Sequence, residues 1–425
     1  MQALLQIWRS RELRNKILFT LAILAFVRLI AHIPLPEIDR SQLLGFLNRS
    51  ENQVLGVLSL FTGSALSTLS INLMGVGPYI TASIIIQLLT KMVPSWEALS
   101  KEGQQGREKL NQYSRYLTVP MAFLQGYGML AILKSQGVLF LDGPREVLTV
   151  LTVMTASSIL VMWLGEMISE RGIGNGVSLI IALGIIASAP QQIGNTISIL
   201  EAGQLVNIVL IALAALATVL VVVIMNDAER RVPITYARNL VGPRPVGLDT
   251  YLPIRVNTAG VIPIIFALSF LTFPQIVAQL FLSAKSPFLV SMAETVNRLL
   301  QNNSYYALIY FLLILVFTFF YTYIIFEPKQ TAENLQKRGG FIIGVRPGTE
   351  TKQYLSYIIS RVTLIGALFL AIIAVFPILL QQVSQIQTLI IGGTSVLIVV
   401  SVIIETNRQL AGQLTMRRYD AMTAR

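Results

Sequence analysis

The sequence predicts an all-α polytopic membrane protein, with ten transmembrane helices in two inverted five-helix halves. Three observations carry that prediction. The 425 residues are 54% hydrophobic and only 12% charged, whereas a soluble domain is about 25% charged. Ten stretches reach roughly the 20 apolar residues that a helix needs to cross hydrocarbon. The net charge of +11 gathers in alternate connecting segments, as it does in polytopic membrane proteins. These properties argue against an ordinary cytosolic enzyme, a disordered chain or a nucleic-acid-binding protein.

In order, the expected spans are 17–36, 72–90, 116–134, 147–165, 176–195, 206–225, 257–280, 304–326, 362–381 and 386–404. The sixth, Val206 to Met225, carries no charge, and the eighth is rich in Phe and Tyr. Arg9, Arg11, Arg14 and Lys16 before the first span resemble the start of a secretory signal. His32-Ile-Pro-Leu-Pro36 follows in place of a small-residue cleavage site, so the span is expected to be retained.

With the N-terminus placed in the cytoplasm, 25 of the 32 Lys and Arg residues fall on that side and 6 outside; Arg28 lies within the first span. The cytoplasmic face then carries +11 and the outer face −1. Both termini are expected in the cytoplasm. Arg28, in the outer half of its span, can snorkel to the interface, and His32 reads as an interfacial residue.

Ten spans divide into five and five, over residues 1–200 and 201–425. An odd number per half inverts any structural repeat, and inverted repeats put a pathway at their junction, often with broken helices. Residues 56–71 are too short and too rich in Ser and Thr to span. They form either a fold-back half-helix or an external interfacial helix; length and polarity alone do not choose. Pro78 then suits the first turn of the next helix. The cytoplasmic connections 226–256 and 327–361 are long, contain Gly242-Pro-Arg-Pro245 and Arg346-Pro-Gly348, and are both expected to form β-hairpin-like protrusions. They hold the charge either as topology signal or as a docking surface.

The chemistry that is missing is also informative. The chain has no Cys and one His, so no disulfide, thiolate or His-based metal site is expected. It lacks a phosphate-binding G-x-x-x-x-G-K-[ST] loop and any nucleophile–base constellation; no cofactor and no enzymatic activity are expected. Gly172-Ile-Gly-Asn-Gly176 reads as a tight turn into the fifth span. Mid-membrane carboxylates of an ion-coupled carrier are absent, and Gly, Ser, Thr, Gln and branched aliphatics take their place. Such residues can gate a pore by dewetting or close packing. Thr81, Ser83, Gln87 and Gln125 would loosen a helix seam, or simply hydrogen-bond across it.

Six stretches then carry a resemblance from end to end of the chain. They are Gly75–Leu89, Trp163–Ile181, Glu229–Asn239, Ile254–Phe266, Gly339–Gly348 and Gly392–Val400. With these, the chain resembles the SecY family, the pore subunits of the bacterial general protein-secretion channel. The resemblance implies an hourglass pore between the two halves. It places Val76, Ile80, Ile181, Ile185, Ile265 and Ile398 in the aliphatic ring at the waist. It also implies a plug at about 56–71, including Leu60, Phe61, Gly63, Ala65 and Leu66, which favours the fold-back reading. A lateral gate would open between the second and third spans and the seventh and eighth, with Thr81, Ser83, Gln87 and Gln125 on its seam.

Implied partners are the SecE and SecG subunits, the SecA motor, the ribosome, signal sequences, unfolded preproteins and the lipid bilayer. Arg346 would be the principal docking residue, with Arg230, Arg231, Arg238, Lys337 and Arg338 in support. The implied location is the bacterial plasma (inner) membrane, with a thylakoid or other plastid-type membrane as the alternative. Val76, Gly77 and Ile343 stand where family members commonly have Ile, a larger residue and Pro. The first two bear on how tightly the ring seals, the third on loop rigidity.

Overall fold

A computed structural model describes residues 10–35, 69–135, 143–199, 205–236, 250–282, 286–384 and 393–423. The first half holds α1 (Arg11–Ile30), α2 (Gly77–Met92), α3 (Pro94–Lys101), α4 (Gln104–Ser135), α5 (Pro144–Arg171) and α6 (Gly176–Ile199). The second begins with α7 (Leu205–Asp227), the strands β1 (Glu229–Tyr236) and β2 (Thr250–Arg255), and α8 (Ile262–Phe281). It continues through α9 (Pro287–Gln301), α10 (Asn303–Ile325), α11 (Pro328–Lys337), β3 (Gly340–Ile342), α12 (Thr349–Ser384) and α13 (Gly393–Thr423).

A helix stands at each of the ten expected spans, with boundaries that differ for local reasons. Residues 71–76 are turns, so the second helix starts at Gly77 rather than 72, with Pro78 in its first turn. A further turn delays α8 to Ile262. The last helix runs on to Thr423, well past the apolar segment that ends near 404. Among the described residues, five helical stretches are long and apolar enough to cross a membrane: Gln104–Lys134, Pro144–Arg171, Asn303–Lys337, Thr349–Leu379 and Thr394–Thr415. Gly176–Pro190, Ala215–Asp227 and Ile262–Ala278 are shorter apolar helices.

The long connections 226–256 and 327–361 depart from two separate hairpins. β1 and β2 do form an antiparallel hairpin, from Glu229 opposite Arg255 to Ile234 opposite Thr250. The second connection instead contributes α11 and one short strand, β3, which pairs antiparallel with β1. The order is β2-β1-β3. Val232 and Ile234 are buried while Arg231, Pro233 and Thr235 are exposed, the period-two pattern of a strand with one covered face. That face packs with Leu335 of α11 and Leu355 and Ile359 of α12. Both connections therefore make one body joined to the N-terminal end of α12.

The Gly172–Gly176 stretch is the expected tight turn. Gly174 sits at φ +83, in the left-handed region that glycine adopts without a Cβ penalty. Its N–H donates to Gln409 Oε1 at 2.8 Å, and Ile173 N–H donates to Thr20 Oγ1 at 3.1 Å. The turn thus clips α1, α5, α6 and α13 together.

Close packing elsewhere depends on absent side chains. A Cβ on Gly366 of α12 would lie 2.4 Å from the Val256 carbonyl oxygen, whereas one on Gly412 would meet nothing within 4 Å. Gly366→Ala is expected to destabilise the folded protein by about 1–3 kcal/mol through overpacking. Gly412→Ala should be neutral or stabilising by up to about 1 kcal/mol through helix propensity. Thermal unfolding in detergent compares them; equal midpoints would remove the close approach of α12 to the 256–261 turn.

Candidate functional site

The six ring residues come from four helices. Val76 immediately precedes α2 and Ile80 lies in its first turn; the Ile80 N–H donates to the Val76 carbonyl at 3.1 Å. Ile181 and Ile185 lie on α6, Ile265 on α8 and Ile398 on α13. All six are buried and belong to one hydrophobic cluster, which also takes in residues of α1, α5, α10 and α12. α2 packs against α8, and α6 against α13. Residues 76 and 80, like 181 and 185, lie one helical turn apart and so share a face. Val261 and Val402, one turn from Ile265 and Ile398, are buried in the same cluster. Sequence reading passed over them, although the same i, i+4 spacing would have found them.

The gate residues divide. Gln125 of α4 donates from Nε2 to Thr81 Oγ1 of α2 at 3.1 Å, a direct polar link between the two helices on one side of the seam. Ser83 instead donates to the Ile80 carbonyl of its own helix at 2.9 Å. Gln87 is half-buried, and its Oε1 has no hydrogen-bond partner among the described residues. Thr81 and Gln125 line a narrow cleft with Leu73, Met74, Gly77, Met129, Ser269, Thr272, Phe273 and Ile276. The α8 side of this cleft was missed; its signal is the polar pair Ser269 and Thr272, which with Gln275 and Gln279 interrupts an apolar helix. A Cβ on Gly77 would lie 3.9 Å from Gln125 Oε1, an ordinary contact, so crowding does not require glycine there.

The seam's surroundings are held by polar links that sequence spacing hides. Arg115 Nε of α4 lies 2.9 Å from the Glu166 carboxylate of α5. Beside the sheet, Asn257 Nδ2 donates to Asn226 Oδ1, and Asn226 Nδ2 to Ser401 Oγ, both at 2.8 Å. Arg408 donates to the Asn226 carbonyl at 2.8 Å and pairs with Asp227. This chain of buried amides fastens the sheet's base to α7 and α13. A polar basin lies nearby, lined by Ser169, Asn175, Arg255, Glu405, Arg408 and Gln409.

The docking candidates are not equivalent. Arg346, Arg230, Lys337 and Arg338 are exposed. Arg231 is committed: its Nε lies 2.8 Å from Glu229 Oε1, and its guanidinium covers the Tyr251 ring at 4.8 Å. The hydrogen bond to Glu229, then the electrostatic influence of Tyr251 and Glu229, hold its proton more tightly than usual. Around Arg346 the backbone is fixed by Val345 N–H to the Ile342 carbonyl and by Thr351 Oγ1 to the Arg346 carbonyl, at 3.1 and 2.8 Å. The loop is therefore ordered without a Pro at Ile343. Arg238 and the plug positions Leu60, Phe61, Gly63, Ala65 and Leu66 lie outside the described residues.

Four helices converging on a buried aliphatic cluster, beside a polar seam, suit a closable path rather than a catalytic centre. The SecY family model matches residues 70–407. The chain belongs to the SecY family. The protein translocase subunit SecY of Streptomyces scabiei is 40% identical over 434 residues, covering 97% of each chain. That of Mycobacterium bovis is 42% identical over 431 residues, with the same coverage. Among solved structures, a protein-conducting channel matches with TM-score 0.62 and 18% identity, over 93% of this chain and 91% of that one. Sec61 in a canine ribosome–channel complex from the endoplasmic reticulum matches with TM-score 0.61 and 17% identity, at the same coverage. The SecY family is one of protein-translocation channels in membranes, and the shared fold is that of the all-α polytopic channels.

Proposed function

We propose that the chain conducts unfolded polypeptide across the bacterial inner membrane through a pore between residues 1–200 and 201–425, and releases apolar helices sideways into lipid. The observation that carries this reading is that Val76, Ile80, Ile181, Ile185, Ile265 and Ile398, contributed by four helices, are buried in one cluster. Aliphatic side chains can seal against ions by excluding water and still part around an extended chain, with no binding chemistry to overcome. Residues 56–71 act as the plug. The seam between α2/α4 and α8/α10 acts as the gate, where a signal sequence exchanges helix–helix for helix–peptide contacts. SecE clamps the halves and SecG lies alongside. SecA or a ribosome supplies the energy, docking on the cytoplasmic sheet body. Both termini face the cytoplasm.

The gate can be tested with a disulfide. The ideal Cβ of Gly128 on α4 lies 3.5 Å from the Cβ of Ile276 on α8, within the roughly 3.5–4.5 Å that a disulfide spans. Replacing Ile276 with Cys also removes the Cγ2 that lies 2.2 Å from that Cβ. The native chain has no Cys, so the bridge has no competitor. In proteoliposomes, the oxidised Gly128→Cys/Ile276→Cys channel is expected to block transport of a signal-bearing preprotein, and reduction to restore it. Undiminished transport through the oxidised channel would place the exit elsewhere.

A further inference from the structure

The helix α9 joins α8 to α10 at the ends away from the three-stranded sheet, and its surface falls into three sectors rather than two. At about 100° per residue, Ala293, Val296 and Leu300 share one face; Ala293 and Leu300 are buried, and Val296 and Leu300 pack with the main cluster. Ser291, Glu294 and Arg298 share a second, exposed face. Phe288, Met292 and Leu299 fall within about 40° of one another on a third, yet they are 70%, 52% and 43% exposed.

A helix lying on a soluble body needs only an apolar and a polar face. A second apolar stripe implies a third environment. The flanking chain identifies it: α10 begins two residues after α9 ends, and its exposed row Tyr305, Leu308 and Leu312 belongs to a stretch long and apolar enough to cross a bilayer. Tyr305, at the head of that row, has the amphipathic ring favoured at a headgroup boundary. The stripe on α9 is thus continuous along the chain with a bilayer-facing surface, while Glu294 and Arg298 meet water.

We propose that α9 is an interfacial helix, with Phe288, Met292 and Leu299 seated at the boundary of headgroups and acyl chains. Under the orientation proposed above, this is the outer leaflet. Amphipathic helices seat their apolar face at this shallow depth. Because α9 links two helices that border the proposed gate, lipid then holds the outer ends of both.

Single-Cys variants of the Cys-free full chain, reconstituted with its membrane partners, test the seating. Positions 288, 292, 299, 291, 294 and 298 are labelled one at a time with an environment-sensitive nitrobenzoxadiazole dye. The vesicles contain phosphatidylcholine and phosphatidylglycerol with nitroxide-labelled lipid. Labels at 288, 292 and 299 are expected to be quenched several-fold more by shallow acyl nitroxides than those at 291, 294 and 298. Aqueous iodide should show the reverse order. Equal iodide quenching at all six positions would overturn the proposal. So would protection of 288, 292 and 299 from both quenchers, which would mean that protein covers the stripe. The readout is depth, not transport, so its failure leaves the channel reading standing, and failure of the channel reading leaves the seating intact.

Discussion

Replacing Ile80, Ile181 and Ile265 together with Gly is expected to raise ion conductance through bilayers containing the channel by on the order of tenfold or more, because a dewetted aliphatic constriction becomes a wettable one. The three residues come from α2, α6 and α8, and each is 5% exposed or less. Their removal opens space from three sides of one cluster. Loss of a large core side chain costs about 2–5 kcal/mol, so a leak could also reflect general loosening. Ile264 and Ile314 separate the two causes. Both are fully buried in the same cluster but lie off the proposed ring. Ile264→Gly and Ile314→Gly should lower the unfolding temperature without raising conductance. Planar-bilayer recordings of all three proteins decide it. A tight triple variant would remove the ring assignment, and equal leak from the controls would reduce it to core packing.

The sequence was most legible where one physical requirement acts locally. Crossing hydrocarbon demands a long apolar run, so a helix could be read at each of the ten expected places, and Pro78 marked a helix start. The β1–β2 hairpin could also be read, because its partners are close in sequence. Features set by tertiary partners were hidden. β3 pairs with β1 some hundred residues away, and nothing within Gly340–Ile342 specifies that register. Arg115 and Glu166 each resemble ordinary juxtamembrane charges until folding brings them together. α3, α9 and α11 are short, and their charged and polar residues keep them from registering as apolar runs. In the site, the family resemblance selected six ring positions among many similar aliphatics, but Ser269 and Thr272 are singled out only by folding, which brings them to one cleft with Thr81 and Gln125.

Arg346→Glu is expected to leave the chain inserted and folded but to abolish SecA-driven translocation in reconstituted vesicles. The substitution should cost little stability, since surface changes away from special features stay within about 0.5 kcal/mol. The Arg346 side chain is exposed and makes no ion pair among the described residues. Its backbone, by contrast, is pinned at Val345 and Thr351 and flanked by Gly344 at φ +81 and Gly348 at φ +101. A free guanidinium on a fixed loop is preorganised for a carboxylate or phosphate, which it can grip bidentately. Reversing a charge that pairs across an interface costs several kcal/mol, and a loss on the order of a hundredfold in transport rate follows. Arg346→Lys keeps the charge but loses the fork, and should fall between the two. Arg231→Glu supplies the contrast: Arg231 already faces Glu229 and Tyr251, so its reversal should disturb the hairpin more than the docking. Translocation of a radiolabelled preprotein, measured beside the melting temperature of each variant, separates these outcomes. Unchanged transport by Arg346→Glu would move the motor's contact off this loop.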